Sequence, residues 1–197
     1  MPEDKKISEY TELAQANIAD ADVGAVADIS ATETKKFSWS SVKGALKTYF
    51  DTIYAAITDP SRVRAYMATT DQTISNDTLT KIQLNAKDYD SQDEFDEVTN
   101  FRFTAKKTGY YLILGSLYWN SAVDQCRLST YIYKNGSACT VGVTNASGTS
   151  VTFSRVSDIQ YLNANDYIEL WGYQNSGGNI SISANTIGTF MAIHKLS

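Results

Sequence analysis

The residues able to do chemistry are few in this chain, and their spacing limits what that chemistry could be. His194 is the only histidine among 197 residues and stands beside Lys195 near the C-terminus. Any Ser–His or Cys–His nucleophile system would have to use it. Nothing in its neighbourhood reads as a nucleophile elbow or an oxyanion loop, so a structural or surface histidine is expected. One histidine and two cysteines, Cys126 and Cys139, are too few for a metal centre of several His or Cys ligands. The densest carboxylates lie in DYDSQDEFDE, residues 88–97. Asp88, Asp90 and Asp93 are the candidates there for Ca²⁺, a hard cation that takes several oxygen ligands. Their spacing is not that of an EF-hand loop, and a solvated acidic loop is the simpler expectation. Paired carboxylates also raise glycoside hydrolysis, but a compact β domain offers no long sugar groove. Gly177-Gly178 sits in a polar turn, without the strand–helix context of a phosphate loop. The inventory reads as a protein that is not an enzyme and needs no cofactor.

The elements that must position these residues change character near Asp59-Pro60. Before it, a short strand is expected around 23–29, a polar turn at ATETKK, and a returning strand at 35–39. SSVKGALKTYFDTIYAAI then reads as a helix, with Ser40 or Ser41 as N-cap and Val42, Leu46, Tyr49, Phe50, Ile53 and Ile57 at helical spacing. That stripe is wide for a region of sixty residues. It could pack on its own hairpin, on copies of itself or on another protein. After Pro60 the pattern is nearly all β, with strands expected at 62–69, 80–84, 101–103, 110–119, 127–133, 138–144, 151–161, 167–173 and 186–194. Turn signals such as Asn135-Gly136 and Asn163-Ala-Asn-Asp166 separate them. Many short strands so spaced indicate a sandwich or jelly roll.

The strand at 110–119, YYLILGSLYW, is apolar on both faces. Tyr111, Ile113 and Leu117 point to one side, and Tyr110, Leu112 and Leu114 to the other. A strand with one wet face alternates apolar with polar residues, so the second face asks for a partner. Tyr167, Trp171 and Tyr173, opposite Ile168 and Leu170, repeat the two-faced pattern. RLSTYIYK breaks its apolar residues with Arg127, Ser129 and Thr130, as an outer sheet would.

Composition narrows the function further. A net charge of −5 without a Lys/Arg cluster argues against nucleic-acid binding. No apolar run is long enough to span a membrane, and MPEDKKISEY lacks the apolar core of a secretory signal, so no secretion leader is expected. The sequons at Asn76, Asn145 and Asn179 then read as coincidental. Cys126 and Cys139 are expected to be free and buried. A two-residue turn at Asn135-Gly136 puts Cys139 opposite Ile132, roughly 20 Å along the ladder from Cys126.

Several stretches resemble a known family. FTAKKTGYYLI (103–113), YLNANDYIEL (161–170) and TIGTFMAI (186–193) are similar, in order, to blocks of the complement globular-head domains, which belong with the tumour-necrosis-factor-like jelly rolls. Phe103, Gly109 and Tyr111 fall on signature positions, as do Leu162, Asp166, Ile168 and Leu170. Thr108 stands where the family has Pro, Asn165 where it has Gly, and Thr189 replaces a further Gly. Asn tolerates left-handed backbone angles, which keeps the turn before Asp166 available. The resemblance implies a ten-strand-type jelly-roll sandwich over residues 61–197. It also implies a homotrimer in which one sheet of each subunit turns its outer face to the threefold axis. On that basis Tyr66, Tyr110, Leu112, Leu114, Tyr167, Trp171, Tyr173 and Phe190 are the expected trimer interface.

Residues 1–60 carry a second resemblance. ADADVGAVADISATETKKFSWSSVKGALKTYF is similar to segments of bacteriophage tail-fibre and head-fibre proteins that precede a receptor-binding or decoration domain. It implies virion attachment through Val42, Leu46, Tyr49, Phe50 and Ile53, with other virion proteins as partners. Tyr118, Trp119, Asn120, Gln174 and Asn175, read as loop positions far from the anchor, are the expected contacts to a bacterial surface glycan or protein. The combined expectation is a homotrimeric phage head or tail fibre. A carbohydrate-binding module and a capsid decoration protein without a receptor are the alternatives.

Overall fold

The computed structural model describes the backbone of residues 23–27, 34–58 and 60–196, and the side chains of residues 38–52 and 60–196. The chain divides into two compact units, Met1–Thr58 and Asp59–Ser197.

In the first unit, strands β1 (Val23–Ala27) and β2 (Thr34–Ser38) pair antiparallel, Val23 opposite Ser38. Helix α1 follows at once as Trp39–Thr58. Its N-cap is Ser38, whose Oγ accepts the backbone N–H of Ser41 at 3.2 Å. Ser40 and Ser41, the expected caps, instead hold their hydroxyls on Ser38 Oγ at 2.7 and 2.8 Å. The end residue of β2 already has the extended backbone that a cap requires, which moves the start of the helix back.

The second unit is a β-sandwich. Its strands are β3 (Arg62–Tyr66), β4 (Gln72–Ile74), β5 (Thr80–Lys81), β6 (Ala86–Asp90), β7 (Phe95–Asp96), β8 (Arg102–Thr104), β9 (Gly109–Trp119), β10 (Arg127–Lys134), β11 (Ser137–Asn145), β12 (Thr152–Leu162), β13 (Tyr167–Gln174), β14 (Ile180–Ile182) and β15 (Phe190–Lys195). One sheet runs β4-β14-β9-β15-β3-β6, with β12 along the other side of β9. The second runs β11-β10-β13-β8-β7, with β5 also on β13. The closing strand begins at Phe190 rather than near 186, because Asn185 Oδ1 accepts the N–H groups of Ile187 and Gly188 and turns the chain there.

The two inner faces make the core. Tyr111, Ile113, Leu117 and Trp119 of β9 meet Leu128 and Ile132 of β10 and Ile168 and Leu170 of β13, all fully buried. Each such side chain contributes about 1.5–3 kcal/mol of burial free energy. One polar chain crosses this core. Trp119 Nε1–H donates to Ser154 Oγ at 2.7 Å, Ser154 Oγ lies 2.5 Å from Thr130 Oγ1, and the Thr130 hydroxyl donates to the Ser154 carbonyl at 3.0 Å. It joins β9 and β12 of one sheet to β10 of the other.

Turn chemistry sets the registers. Asn135 and Gly136 both have positive φ, 51° and 79°, as the two-residue turn of a tight hairpin requires. A bulge then pairs Ile132 with Thr140 and Tyr133 with Ala138, leaving Cys139 as the extra residue. Cys139 is therefore exposed rather than buried, on an edge strand, with its Sγ 3.3 Å from the Ile132 carbonyl. Cys126 is buried, and both thiols are free. Asn165 adopts φ 74°, and Asp166 closes the same turn by accepting from Asn163 N–H and Asn135 Nδ2 at 2.9 and 2.8 Å.

Candidate functional site

The outward face of the sheet carrying β9 is the most unusual surface of the second unit. Strand alternation sends Tyr110, Leu112, Leu114, Ser116 and Tyr118 outward from β9. Ladder registers set their neighbours. Tyr110 faces Tyr161, Leu112 lies between His194 and Ile159, Leu114 between Ala192 and Ser157, and Ser116 between Phe190 and Arg155. Beyond β15, Tyr66 extends the Phe190 row and Arg64 the Ala192 row. Tyr89 of β6 stands opposite Arg64 at the sheet edge.

Large apolar side chains on this face stay in water. Tyr110 is 52% exposed, Ile159 55%, Tyr161 47% and Leu114 40%. Rings pair across it, Tyr110 with Tyr161 at 5.1 Å and Tyr118 with Phe153 at 4.8 Å between centroids. The Arg64 guanidinium lies 4.6 Å over the Phe190 ring, forms an ion pair with Asp88 and donates to the Thr186 carbonyl at 2.5 Å. Exposed apolar side chains grouped on one face and rimmed by polar residues mark a site of interaction.

A pocket of about 270 Å³ opens on the same face, lined by Leu114, Gly115, Ser116, Arg155, Val156, Ser157 and Phe190. Ser116 is 1% exposed, and its Oγ has no hydrogen-bond partner. A buried hydroxyl left unpaired costs about 1–3 kcal/mol.

The structure brings together five of the eight residues expected at a trimer interface: Tyr66, Tyr110, Leu112, Leu114 and Phe190. It separates the other three. Tyr167, Trp171 and Tyr173 belong to β13, in the opposite sheet, and point away from this face. They line an outer surface with Tyr131 and Tyr133, where Tyr133 stacks on Trp171 at 4.7 Å. Glu169 holds Trp171 Nε1–H at 3.1 Å and Lys81 Nζ at 2.6 Å. A two-faced apolar pattern shows that both faces of a strand are apolar. It does not show which sheet the strand joins.

Two of the expected receptor contacts are core residues. Trp119 is fully buried on Ser154, and Gln174 is fully buried, its Nε2 donating to the carbonyls of Ile74 and Gly178 at 3.1 and 2.7 Å. Both lie at strand ends inside the sandwich rather than in loops. Asn120 Nδ2 is held by Asp71 at 2.7 Å, and Asn175 Oδ1 accepts the Arg127 N–H at 2.7 Å, so both carry loop structure. Tyr118 is half-buried against Phe153.

The acidic run does not assemble a cation site. Asp88 pairs with Arg64, and Asp90 accepts the N–H groups of Glu94 and Phe95 and pairs with Lys87 at 3.4 Å. Asp93 points into solvent, 3.7 Å from Lys87 Nζ. Among the described residues no group of three His, Cys, Asp or Glu side chains is placed to hold a metal ion. His194 is exposed between Leu112 and Arg62 in the ladders. On α1, Leu46, Tyr49 and Phe50 are exposed and Val42 is half-buried, while the Ile53 side chain lies outside the described residues.

No protein-family model matches the chain. A comparison with curated protein sequences finds no match. Solved structures do. The chain is similar to murine APRIL, with 12% identity and a TM-score of 0.55 over 70% of this chain and 99% of that one. Eiger TNF from S. frugiperda gives 11% and 0.55 over 71% and 94%. The globular domain of zebrafish complement 1qA gives 11% and 0.51 over 70% and 98%. The fold is the TNF-like jelly roll. At such identities the likeness concerns architecture alone, and the function of this jelly roll has to be argued from its own surfaces.

Proposed function

We propose that this chain is a homotrimeric structural protein of a bacteriophage, a head or tail fibre without enzymatic activity. Its jelly roll projects from the virion for host-surface binding or decoration. The observation that carries self-association is the exposed apolar face of β3, β15, β9 and β12, with the unpaired Ser116 hydroxyl at its centre. Burial against neighbouring subunits removes that surface from water and supplies partners for the polar groups within it. The virion role is supported by the likeness of residues 19–50 to fibre attachment segments and by the exposed Leu46, Tyr49 and Phe50 on α1. Residues 1–60 then bind the particle and residues 61–197 form the head. Threefold repetition multiplies weak single contacts through avidity.

Light scattering on the full chain tests the assembly. Three times the 21.7 kDa chain mass is expected, and a monomer at micromolar concentration sinks the trimer. Binding of the full chain to phage particles lacking it tests the virion role.

A second reading, a carbohydrate-binding module, is favoured by the outer row of Tyr131, Tyr133, Trp171 and Tyr173, where rings stand beside the Glu169 carboxylate and Lys81. Glycan-array binding that disappears with Trp171→Ala supports it. An array without binding removes it.

A further inference from the structure

Ser116 carries the one buried side-chain polar atom without a partner among the described residues, and the residue lies in the wall of a pocket too small for the usual small-molecule ligand. The pocket holds about 270 Å³, against roughly 300–1,000 Å³ for such sites. One aromatic side chain suits that space, with the Phe190 ring and Leu114 as walls and two serine hydroxyls, Ser116 and Ser157, for a phenol to bond. Beside the opening stands Arg155. Its guanidinium lies 5.1 Å from its own Phe153 ring and has no carboxylate partner among the described residues.

The other edge of the same sheet carries the complement. Tyr89 on β6 is 51% exposed and points outward with Arg64. Its neighbour Asp88 is an exposed carboxylate that pairs with Arg64 of its own copy and keeps its outer side open to a second cation. Two cross-strand rows connect the edges. Tyr89, Arg64, Ala192, Leu114 and Ser157 form one, and Ala86, Tyr66, Phe190, Ser116 and Arg155 form the next. Tyr89 and Asp88 therefore stand at the height of the pocket, at the opposite end of its rows. Rotation about an axis along the strands keeps each group at its height, so one edge of a subunit meets the other edge of the next. Contacts of this head-to-tail kind close into a ring of three when each copy is turned by a third of a circle from the last.

We propose that Tyr89 of one copy fills the Ser116 pocket of its neighbour, with its phenol on the Ser116 hydroxyl and Asp88 beside Arg155. The occupant is thus a second copy of this chain. The inference rests on the trimer reading and names the contact that closes it.

Within one copy Tyr89 and Ser116 are three strands apart, roughly 15 Å. In the proposed contact a tyrosine side chain and one hydrogen bond separate their Cα atoms by about 10 Å, too far for a direct disulfide. The full chain carrying Tyr89→Cys and Ser116→Cys, treated with a short bismaleimide cross-linker that spans the two thiols, is therefore expected to run as covalent trimers on a denaturing gel. Each single variant controls for the native Cys139 and should not give them. A wild-type chain that is trimeric by light scattering, with no cross-link in the double variant, overturns the socket and leaves the trimer reading standing. A monomeric wild type overturns both. Should the double variant fail to fold, Tyr89→Ala at an exposed position decides. It is expected to raise the trimer dissociation midpoint at least tenfold, and an unchanged midpoint overturns the proposal.

Discussion

A Cβ placed on Gly142 would stand 1.7 Å from the carbonyl oxygen of Arg155. Gly142 lies on β11, the edge of one sheet, and Arg155 on β12, the edge of the other. The sandwich closes along this seam by backbone-to-backbone contact that tolerates no side chain. Gly142→Ala must push the two edges apart. A loss of about 1–3 kcal/mol is expected, as for overpacking elsewhere, read as a lower denaturant midpoint. An unchanged midpoint would show that the seam opens freely.

The polar chain through Trp119, Ser154 and Thr130 lies beside that seam. Ser154→Ala leaves the Trp119 indole N–H buried without an acceptor, at a cost of about 1–3 kcal/mol. Adding Trp119→Phe removes the orphaned donor. The double variant should therefore be more stable than the sum of the two singles predicts, with coupling of about 0.5–3 kcal/mol. Strict additivity in urea unfolding would mean that the hydrogen bond carries no weight.

Assembly is addressed at Leu112, which is half-buried at the centre of the outward face between His194 and Ile159. Leu112→Glu is expected to yield a monomer by light scattering with its β-sheet circular dichroism retained, since the side chain points away from the core. Tyr111→Glu, one residue earlier, should instead unfold the domain. A trimer that survives Leu112→Glu places the subunit contact elsewhere.

Acid should destabilise the fold within a defined window. The N–H groups of Thr99 and Val98, aided by Asn100, hold the Asp96 carboxyl down at about 2. The Thr140 hydroxyl lowers Asp158, and the Asn135 amide lowers Asp166. Unfolded aspartates titrate near 3.9, so below about pH 4 the unfolded chain binds more protons and stability falls towards pH 2. At the other end, burial pushes Tyr111 up to about 12, with the nearby Glu94 charge adding to it. That contribution is complete below pH 10 and is lost as pH rises from 10 to 12. Asp96→Asn should flatten the acid limb and Tyr111→Phe the alkaline one, as measured by urea midpoints across pH.

Much of the fold was legible locally. The strands at 110–119, 127–133 and 167–173 follow from residue types and turn signals within a few positions. The positive φ of Asn135 and Asn165 follows from what these side chains and the adjacent Gly136 or Asp166 permit. The outward partners of β9 were harder to read. Ile159, Phe153 and Tyr161 joined the face through pairing with β12, and nothing in their own segment marks them as neighbours of Tyr110 or Leu112. Ser116 gave no signal at all, because a lone serine in a strand looks like an ordinary outward polar residue.

The amino-acid sequence by itself determined the β character, the hairpin turns and a strand that is apolar on both faces. These depend on side-chain alternation and backbone preference over two to four residues. Only the tertiary structure decided that β9 and β13 lie in opposite sheets, that Trp119 and Gln174 are core residues, and that Ser116 is buried without a partner. Those outcomes depend on which distant strands pair, as β9 does with β15 and β12. Pairing at that range is governed by packing of the whole sandwich, to which each local pattern contributes only the demand that its apolar faces be covered.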